Sequence, residues 1–310
     1  MCAENIIIPP RLKKGSCIGL FTPAGPVRDQ RRFEAGISLL REQGFRVKLP
    51  PDFDTSHGYL AGTDDVRLES LHALLYDNDV DALMAVRGGF GCLRIIDRIN
   101  FELLVARPRQ LIGFSDLTVL LNSISQRTGM ITVHGPVATS LIDGSRETIE
   151  AFFALLAGQQ PRYNERKQIE VLRGGRSEGI LRGGNLTTLS HLLGTPWEIP
   201  WKNSLLFLED TNEPMYKIDR ILTQLFHAGK LAELNGLILG SFTGEADQTE
   251  NLRLQEQLWE RVLELTVGFG YPIWGGFPIG HGSRNFPLPV GGKATMDSGT
   301  GQLLLASLFN

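Results

Sequence analysis

The chain contains little of what several protein classes depend on. Its three cysteines, Cys2, Cys17 and Cys92, are odd in number and show no metal-ligand spacing, which disfavours a disulfide framework and a zinc cluster. It has 31 basic and 34 acidic residues, which leaves no positive surplus to attract nucleic acid. No apolar run approaches the roughly 18 residues of a membrane span, and no HExxH motif is present. We therefore expect no nucleic-acid, membrane or metal partner and no cofactor.

The first residues and the thiols indicate a compartment. Three isoleucines at positions 6–8 are followed by two prolines and then by basic residues, which is unlike a secretory leader. Cysteines without an obvious partner are typical of proteins in a reducing environment. We therefore expect a cytoplasmic protein.

What the first half of the chain does have is a regular alternation of short apolar runs and helical patterns. The apolar runs lie at 17–22, 45–49, 79–86, 111–114 and 131–133, and the helical patterns at 31–44, 64–76, 91–99 and 117–127. This alternation predicts an α/β domain with a doubly wound parallel sheet over residues 1–155.

The texture changes after this domain. A polar stretch without periodicity at 152–168 is typical of a linker. Beyond it, residues 169–310 mix short strands with helices and end in a hairpin pattern at 293–305. We expect a second, mixed α/β domain over this range.

A candidate nucleophile follows the fourth apolar run. Ser115 stands between Gly113 and a helical pattern, which is the context of a nucleophile elbow, a tight turn that exposes a serine hydroxyl at the end of a strand. Leu117 occupies the place of the usual second glycine. Ser115 and Asp116 are also suitable as a simple helix cap, and the local pattern does not decide between these interpretations.

A glycine-rich segment, Arg87-Gly88-Gly89-Phe90-Gly91, follows the third apolar run. It lacks the spacing of a dinucleotide-binding loop and the lysine of a phosphate-binding loop. Backbone N–H groups in such a loop can approach an oxyanion closely, and a tight turn that needs positive φ explains the glycines equally well.

Acid and base candidates lie in the second half. Glu209 and Asp210 end an apolar strand, and Glu213 follows on the same loop; either of the first two could orient a histidine or cap a helix. His281 lies in a loop between two glycines, and His134 ends a strand that could line a cleft. Histidine is the usual proton carrier near neutral pH, although a single loop histidine is more often incidental.

Taken together, the segments resemble the LD-carboxypeptidase family, the muramoyltetrapeptide carboxypeptidases, over nearly the whole chain. The ordered motifs are AGP at 24–26, RGGFG at 87–91, GFSD at 113–116, GGNL at 183–186, GTPW at 194–197, LED at 208–210, and GH at 280–281 followed by LPVG at 288–291. Each motif is weak alone, and the ordered set is specific.

The resemblance implies a Ser–Glu–His triad of Ser115, Glu209 and His281, with one member in the first domain and two in the second. It favours the backbone N–H groups of Asp116 and of Gly88 or Gly89 as an oxyanion hole. The implied substrate is the peptidoglycan tetrapeptide, cleaved before its terminal D-alanine during cell-wall recycling. Members of the family are often homodimers.

Removal of one terminal residue requires a group that binds the free carboxylate. Arg284, three residues after His281, is our first candidate, and Arg87 is the second; Arg284 could also be a solvated loop residue.

Two alternatives remain for the whole chain. One is a serine peptidase of the same family that hydrolyses peptidyl-nucleotide antibiotics, and the other is a two-domain binding protein without activity.

Overall fold

A computed structural model describes residues 6–51, 53, 55–161, 163–164, 169–244 and 248–306. The chain forms two compact units. The first comprises the described residues up to Pro161 together with Phe286–Gly291, and the second comprises the remaining described residues between 163 and 306.

The first unit is a sheet with helices, as the alternating pattern predicts. Its parallel strands are β1 (Cys17–Phe21), β2 (Arg46–Lys48), β3 (Ala82–Ala85), β4 (Gln110–Gly113) and β5 (Thr132–His134). Its helices are α1 (Gln30–Glu42), α2 (Asp64–Tyr76), α3 (Phe101–Ala106), α4 (Thr118–Thr128) and α5 (Arg146–Leu156). The spatial order β5-β4-β3-β1-β2 makes β1, β3 and β4 neighbours. Their carboxyl ends therefore meet at one edge, where open α/β sheets place their sites.

Local signals explain these elements. Helix α2 begins after Thr63, whose side chain accepts a hydrogen bond from the Val66 N–H, and β1 is apolar and buried along its whole length. The predicted helix at 91–99 is instead a pair of 3₁₀ turns, Cys92–Arg94 and Ile96–Arg98, before α3. The predicted linker overlaps α5, which buries Phe152 in the core.

The second unit contains a mixed sheet, in agreement with the expected mixed α/β domain. Its strands are β6 (Tyr163–Asn164), β7 (Glu170–Arg173), β8 (Arg176–Asn185), β9 (Ser204–Thr211), β10 (Gly236–Thr243), β11 (Ile273–Gly275), β13 (Lys293–Asp297) and β14 (Gln302–Leu305), and its helices are α6 (Leu186–Ser190), α7 (Met215–His227) and α8 (Gln248–Leu265). The strands follow the order β6-β14-β13-β8-β9-β10-β11-β7. The four central strands, β8 to β11, are parallel, and the flanking strands are antiparallel.

Strand β12 (Leu288–Val290) returns to the first unit, where it pairs antiparallel with β5. The sequence pattern predicts this segment in the C-terminal domain, and the pairing places it in the N-terminal sheet. The hairpin predicted at 293–305 is present as β13 and β14. None of the helices in the described part of the chain is long and apolar enough to cross a membrane.

Candidate active site

Ser115 lies at the sharp turn between β4 and α4. Its φ is 64°, in the left-handed region that non-glycine residues rarely occupy, and a serine held there between a strand and a helix is the geometry of a nucleophile elbow. A helix N-cap has extended backbone instead. Phe114 has that conformation, with φ −155° and ψ −173°, and Leu117 is the residue that precedes α4. Ser115 is half-buried.

The elbow has Leu117 where the usual motif has its second glycine, and Gly113 leaves space for this leucine. A β-carbon at residue 113 would lie 2.7 Å from the Leu117 Cγ, so the leucine fills the space that Gly113 leaves. The Leu117 side chain is fully buried. In this chain one glycine makes room for the turn, and an apolar residue two positions after the serine packs into that room.

The glycine loop lies against Ser115, as the sequence analysis predicts. A β-carbon at residue 88 would lie 2.8 Å from the Ser115 Cβ and 2.9 Å from its Oγ. Gly89 has φ +129°, and a β-carbon there would lie 3.1 Å from the Gly25 backbone nitrogen. The Gly25 N–H in turn donates to the Gly88 carbonyl at 3.2 Å. The loops after β1 and β3 thus pack together beside the serine.

Arg87 extends this cluster with a positive charge. Its Nη1 donates to the Pro26 carbonyl at 3.1 Å, and the residue is half-buried. Burial lowers the pKa of Arg87, and the neighbouring charge of Arg28 lowers it further. Within the described residues no carboxylate forms an ion pair with Arg87.

In the second unit, Glu209 and His281 form a hydrogen-bonded pair. His281 Nδ1 lies 2.7 Å from Glu209 Oε2. The Glu209 side chain is fully buried at the end of β9, and the His281 side chain is 22% exposed. A buried carboxylate on Nδ1 holds an imidazole in one orientation and one tautomer, with Nε2 as the nitrogen that can accept a proton.

Gly280 makes this pair sterically feasible. It has φ +124°, and a β-carbon there would lie 2.2 Å from the Ser241 Oγ and 3.2 Å from the Glu209 Oε2. The Gly280 N–H donates to the Asn285 Oδ1 at 3.1 Å, which closes the loop that carries His281. Asn285 lies at the end of the histidine segment and is buried, and no sequence signal separates it from an ordinary loop residue.

Two opposing effects set the pKa of His281. Burial lowers it, and the charge of Glu209 and its hydrogen bond to the imidazole raise it, with a further contribution from Asp210. The carboxylates prevail, so the pKa of His281 lies above its usual value of 6.5. The pair therefore stabilises the protonated imidazole, which is what a general base needs once it has taken a proton.

The other carboxylates near Glu209 have different partners. Asp210 accepts hydrogen bonds from the Asn185 Nδ2 at 2.7 Å, from the Thr187 backbone N–H at 2.9 Å and from the Thr187 hydroxyl at 2.8 Å. Glu213 forms an ion pair with Lys217 at 3.1 Å. Of the two strand-end carboxylates, Glu209 therefore orients the histidine, and Asp210 fixes the start of α6.

The remaining candidates lie elsewhere or have lesser roles. His134 is fully buried on β5, with its ring 6.1 Å from that of Phe114, so it is a core residue. Arg284 is half-buried in the loop that carries His281.

Burial and the Asp116 carboxylate raise the pKa of the Cys92 thiol, which disfavours a cysteine nucleophile. Among the described residues no group of three or more histidine, cysteine or acidic side chains is arranged to hold a metal ion.

Both halves of the chain match models of known protein domains. Residues 18–135 match the LD-carboxypeptidase N-terminal domain, and residues 178–296 match the LD-carboxypeptidase C-terminal domain. The chain belongs to the LD-carboxypeptidase family. Ser115 and its glycine loop lie within the matched N-terminal range, and the Glu209–His281 pair lies within the matched C-terminal range.

Two relatives support the assignment of this enzyme to the family. A probable murein peptide carboxypeptidase of Bacillus subtilis is 37% identical and covers 94% of this chain and 91% of its own. The murein tetrapeptide carboxypeptidase of Pseudomonas aeruginosa is 33% identical and covers 90% of this chain and 92% of its own.

Solved structures show the same two-domain fold. The muramoyltetrapeptide carboxypeptidase from Oxalobacter formigenes aligns with a TM-score of 0.77 and 27% identity. The alignment covers 94% of this chain and 98% of the Oxalobacter chain. MccF in complex with glutamyl sulfamoyl guanosine aligns with a TM-score of 0.86 over 98% and 99% of the two chains. At 22% identity the likeness to MccF concerns the fold alone.

Proposed function

We propose that this enzyme is a serine carboxypeptidase that removes the terminal D-alanine from peptidoglycan tetrapeptides, with Ser115, Glu209 and His281 as its triad. The observation that carries the proposal is the 2.7 Å contact between His281 Nδ1 and the buried Glu209. This contact leaves Nε2 as the proton acceptor that a serine nucleophile requires.

The reaction follows from the roles of these groups. The Ser115 hydroxyl attacks the carbonyl carbon of the L,D bond while its proton passes to His281 Nε2. The tetrahedral intermediate collapses, and His281 returns the proton to the amine of the departing D-alanine. Water, deprotonated by His281, then attacks the acyl-enzyme ester, and His281 returns the proton to the departing Ser115 oxygen as the shortened peptide is released. Glu209 stabilises the imidazolium in both steps.

The negative charge of the intermediate requires donors that are already in position. The Asp116 N–H and those of Gly88 and Gly89 are our candidates for this oxyanion hole. The close approach of Gly88 to the Ser115 Cβ and Oγ supports them, because only a residue without a side chain brings its backbone so near to the nucleophile.

We further propose that an arginine binds the carboxylate of the terminal residue. Arg87 is supported by its position, because it is half-buried beside the Ser115 loop and forms no ion pair within the described segments. A partly buried cation without an acidic partner is a suitable site for a substrate carboxylate. Arg284, the first candidate from the sequence, is also half-buried and stays a candidate for the same role.

The compartment is part of the proposal. Cys17 and Cys92 are buried and unpaired, as is typical of proteins from a reducing environment. We therefore place the reaction in the cytoplasm, where it would act on recycled stem peptides.

The decisive test of the substrate is a set of four tetrapeptides that end in D- or L-alanine, each as the free acid and as the amide. We expect kcat/KM to be highest, by about 100-fold or more, for the L,D acid. Arg87→Ala should raise KM for the acid about tenfold more than for the amide, and Arg284→Ala serves as the matched comparison. Equal kcat/KM for all four peptides would rule out a carboxypeptidase that recognises the chain end.

The alternative substrate is a peptidyl-nucleotide, because MccF, a protein of the same fold, has been solved in complex with glutamyl sulfamoyl guanosine. A nucleotide-binding enzyme needs an aromatic platform for the base. In this chain only three residues separate β9 from α7, which leaves a compact segment after Glu209. We expect glutamyl sulfamoyl guanosine to inhibit weakly, with an inhibition constant well above the KM for the L,D tetrapeptide; tight inhibition would favour the alternative. Membership in an enzyme family disfavours a binding protein without activity.

A further inference from the structure

The loop that carries Gly88 and Gly89 is fastened at its far end through one peptide group, between Gly91 and Cys92. The Gly91 carbonyl accepts a hydrogen bond from the Arg67 Nη1 at 2.9 Å. The Cys92 N–H donates to the Asp116 Oδ2 at 2.8 Å. A cation thus binds the oxygen of this peptide and an anion binds its nitrogen. Hydrogen bonds to charged groups are about twice as strong as neutral ones.

Arg67 joins this peptide to two further parts of the first unit. Its side chain is fully buried, and it also donates to the Pro23 carbonyl and pairs with Asp64. Pro23 lies in the loop after β1, and Asp64 lies in the first turn of α2. A guanidinium presents several N–H groups in a rigid fork, so it fixes the positions of its acceptors relative to one another.

Asp116 joins the same peptide to the nucleophile. It follows Ser115 directly and is 5% exposed, and its own N–H is a candidate donor to the oxyanion. A β-carbon at Gly91 would lie 2.7 Å from the Arg67 Nη1, so any side chain there would disturb the contact. The loop has little freedom to move away from Ser115 while both charged groups are in place.

We propose that Arg67 and Asp116 are positioning residues that clamp the Gly91–Cys92 peptide and thereby hold the Gly88 and Gly89 N–H groups at the oxyanion formed on Ser115. The inference rests on the proposed function, since it takes Ser115 as the nucleophile. Donors fixed in advance stabilise a developing charge without rearrangement. A displacement of about 1 Å can reduce the rate by about 100-fold.

The Asp116 side chain allows a graded test, in which Asp116→Ala removes the acceptor and Asp116→Asn keeps an oxygen that can accept from Cys92. We expect Asp116→Ala to lower both kcat and the rate of fluorophosphonate labelling by about 100-fold, with KM changed less than about threefold. Asp116→Asn should recover at least tenfold of that loss. The matched control is Asp81→Ala, since Asp81 accepts the Cys17 N–H at 2.7 Å at the start of β1, away from the loop; its labelling rate should stay within about twofold of wild type.

Arg67→Lys tests the cation, with Arg109→Lys as its control. Arg109 is also a buried arginine that donates to two backbone carbonyls, those of Leu74 and Asp77. Both variants should lower Tm, and Arg67→Lys alone should lower the labelling rate, by about tenfold or more. The Asp116 series decides the question if Arg67→Lys does not fold.

Labelling of Asp116→Ala at the wild-type rate would overturn the clamp and leave the proposed function standing. Wild-type protein that is not labelled at Ser115 would overturn both. A loss that Asp116→Asn does not recover at all would also contradict the clamp, because the retained oxygen should still accept the Cys92 N–H.

Discussion

The Ser115 elbow and the Glu209–His281 pair achieve their geometry by different means. At Ser115 the geometry comes from the backbone: a left-handed serine, a glycine at 88 that touches it, and hydrogen bonds that hold the adjoining loops. At Glu209 it comes from side chains, because a fully buried carboxylate at a strand end contacts a loop histidine and raises its pKa. The elbow should therefore be sensitive to added volume, and the pair should be sensitive to removed charge.

The largest effects should come from removing the reacting groups themselves. We expect Ser115→Ala and His281→Ala each to reduce kcat by about 10⁴- to 10⁶-fold, because triad members act as one unit. The kcat of the double variant should be no lower than that of the less active single variant. Steady-state kinetics with circular dichroism to verify folding would measure this, and near-normal activity of Ser115→Ala would remove the basis of the mechanism.

A change of charge at the pair should have the next largest effect. Glu209→Gln keeps the volume and removes the negative charge, and we expect kcat to fall by about 10⁴-fold, as when a triad carboxylate is replaced by its amide. His281 must be neutral to act as a base, so the acidic limb of wild-type kcat/KM should lie above pH 6.5, where the pKa of His281 is raised. In Glu209→Gln this limb should move to lower pH, because burial then acts on the imidazole without the carboxylate. An unmoved limb would mean that another group titrates.

The same shift predicts how stability depends on pH. A histidine whose pKa is raised by folding stabilises the native state fully below its unfolded pKa, about 6.5, and this contribution is lost as pH rises through the folded pKa. Urea unfolding of wild type and Glu209→Gln should therefore differ more at pH 6 than at pH 9. A difference in stability that grows with pH would contradict the assigned sign.

A side chain added at the elbow should lower kcat less than the loss of the Glu209 charge does. Gly88→Ala introduces one methyl group against the Ser115 Cβ and Oγ, and we expect kcat to fall by about 10²- to 10³-fold, as for the loss of an oxyanion-hole donor. Gly174→Ala is the control, because a β-carbon there would contact nothing within 4 Å. Equal kcat for the two variants would show that the loop does not need its close approach.

The smallest effect should come from chelation. No metal-ligand cluster is present in the described ranges, and the proposed chemistry needs only side chains and backbone donors. We expect kcat/KM to stay within about 20% of its untreated value after prolonged EDTA treatment, because the proposed reaction uses no metal ion that a chelator could remove. Loss of activity that zinc restores would mean that a metal takes part.

Local sequence signals predicted most of the first unit and the elbow. Helix α2 occupies the predicted 64–76 range, because its cap and its apolar spacing lie within a few residues of each other. The strand–glycine–helix pattern at 111–127 likewise placed Ser115 at a turn. The return of β12 to the first sheet was beyond such reasoning, since a three-residue strand pairs with β5 across more than 150 residues.

The choice between Glu209 and Asp210 also required the structure. Successive side chains on a strand point to opposite faces, so only one of two adjacent carboxylates can reach a given partner. The residues around position 209 do not indicate which face of the strand contacts the loop that carries His281. The motif resemblance supplied the assignment, and the hydrogen bonds of Asp210 to Asn185 and Thr187 give its physical reason.

The nucleophile is the central claim, and the covalent adduct tests it most directly. After incubation with a fluorophosphonate, intact-mass measurement and peptide mapping should find one phosphonyl group on Ser115 in the wild-type protein. Ser115→Ala should show no adduct, and His281→Ala should react about 10³-fold more slowly, because the hydroxyl then lacks its base. An adduct on another residue, or none under conditions where the tetrapeptide is cleaved, would contradict the assignment of Ser115.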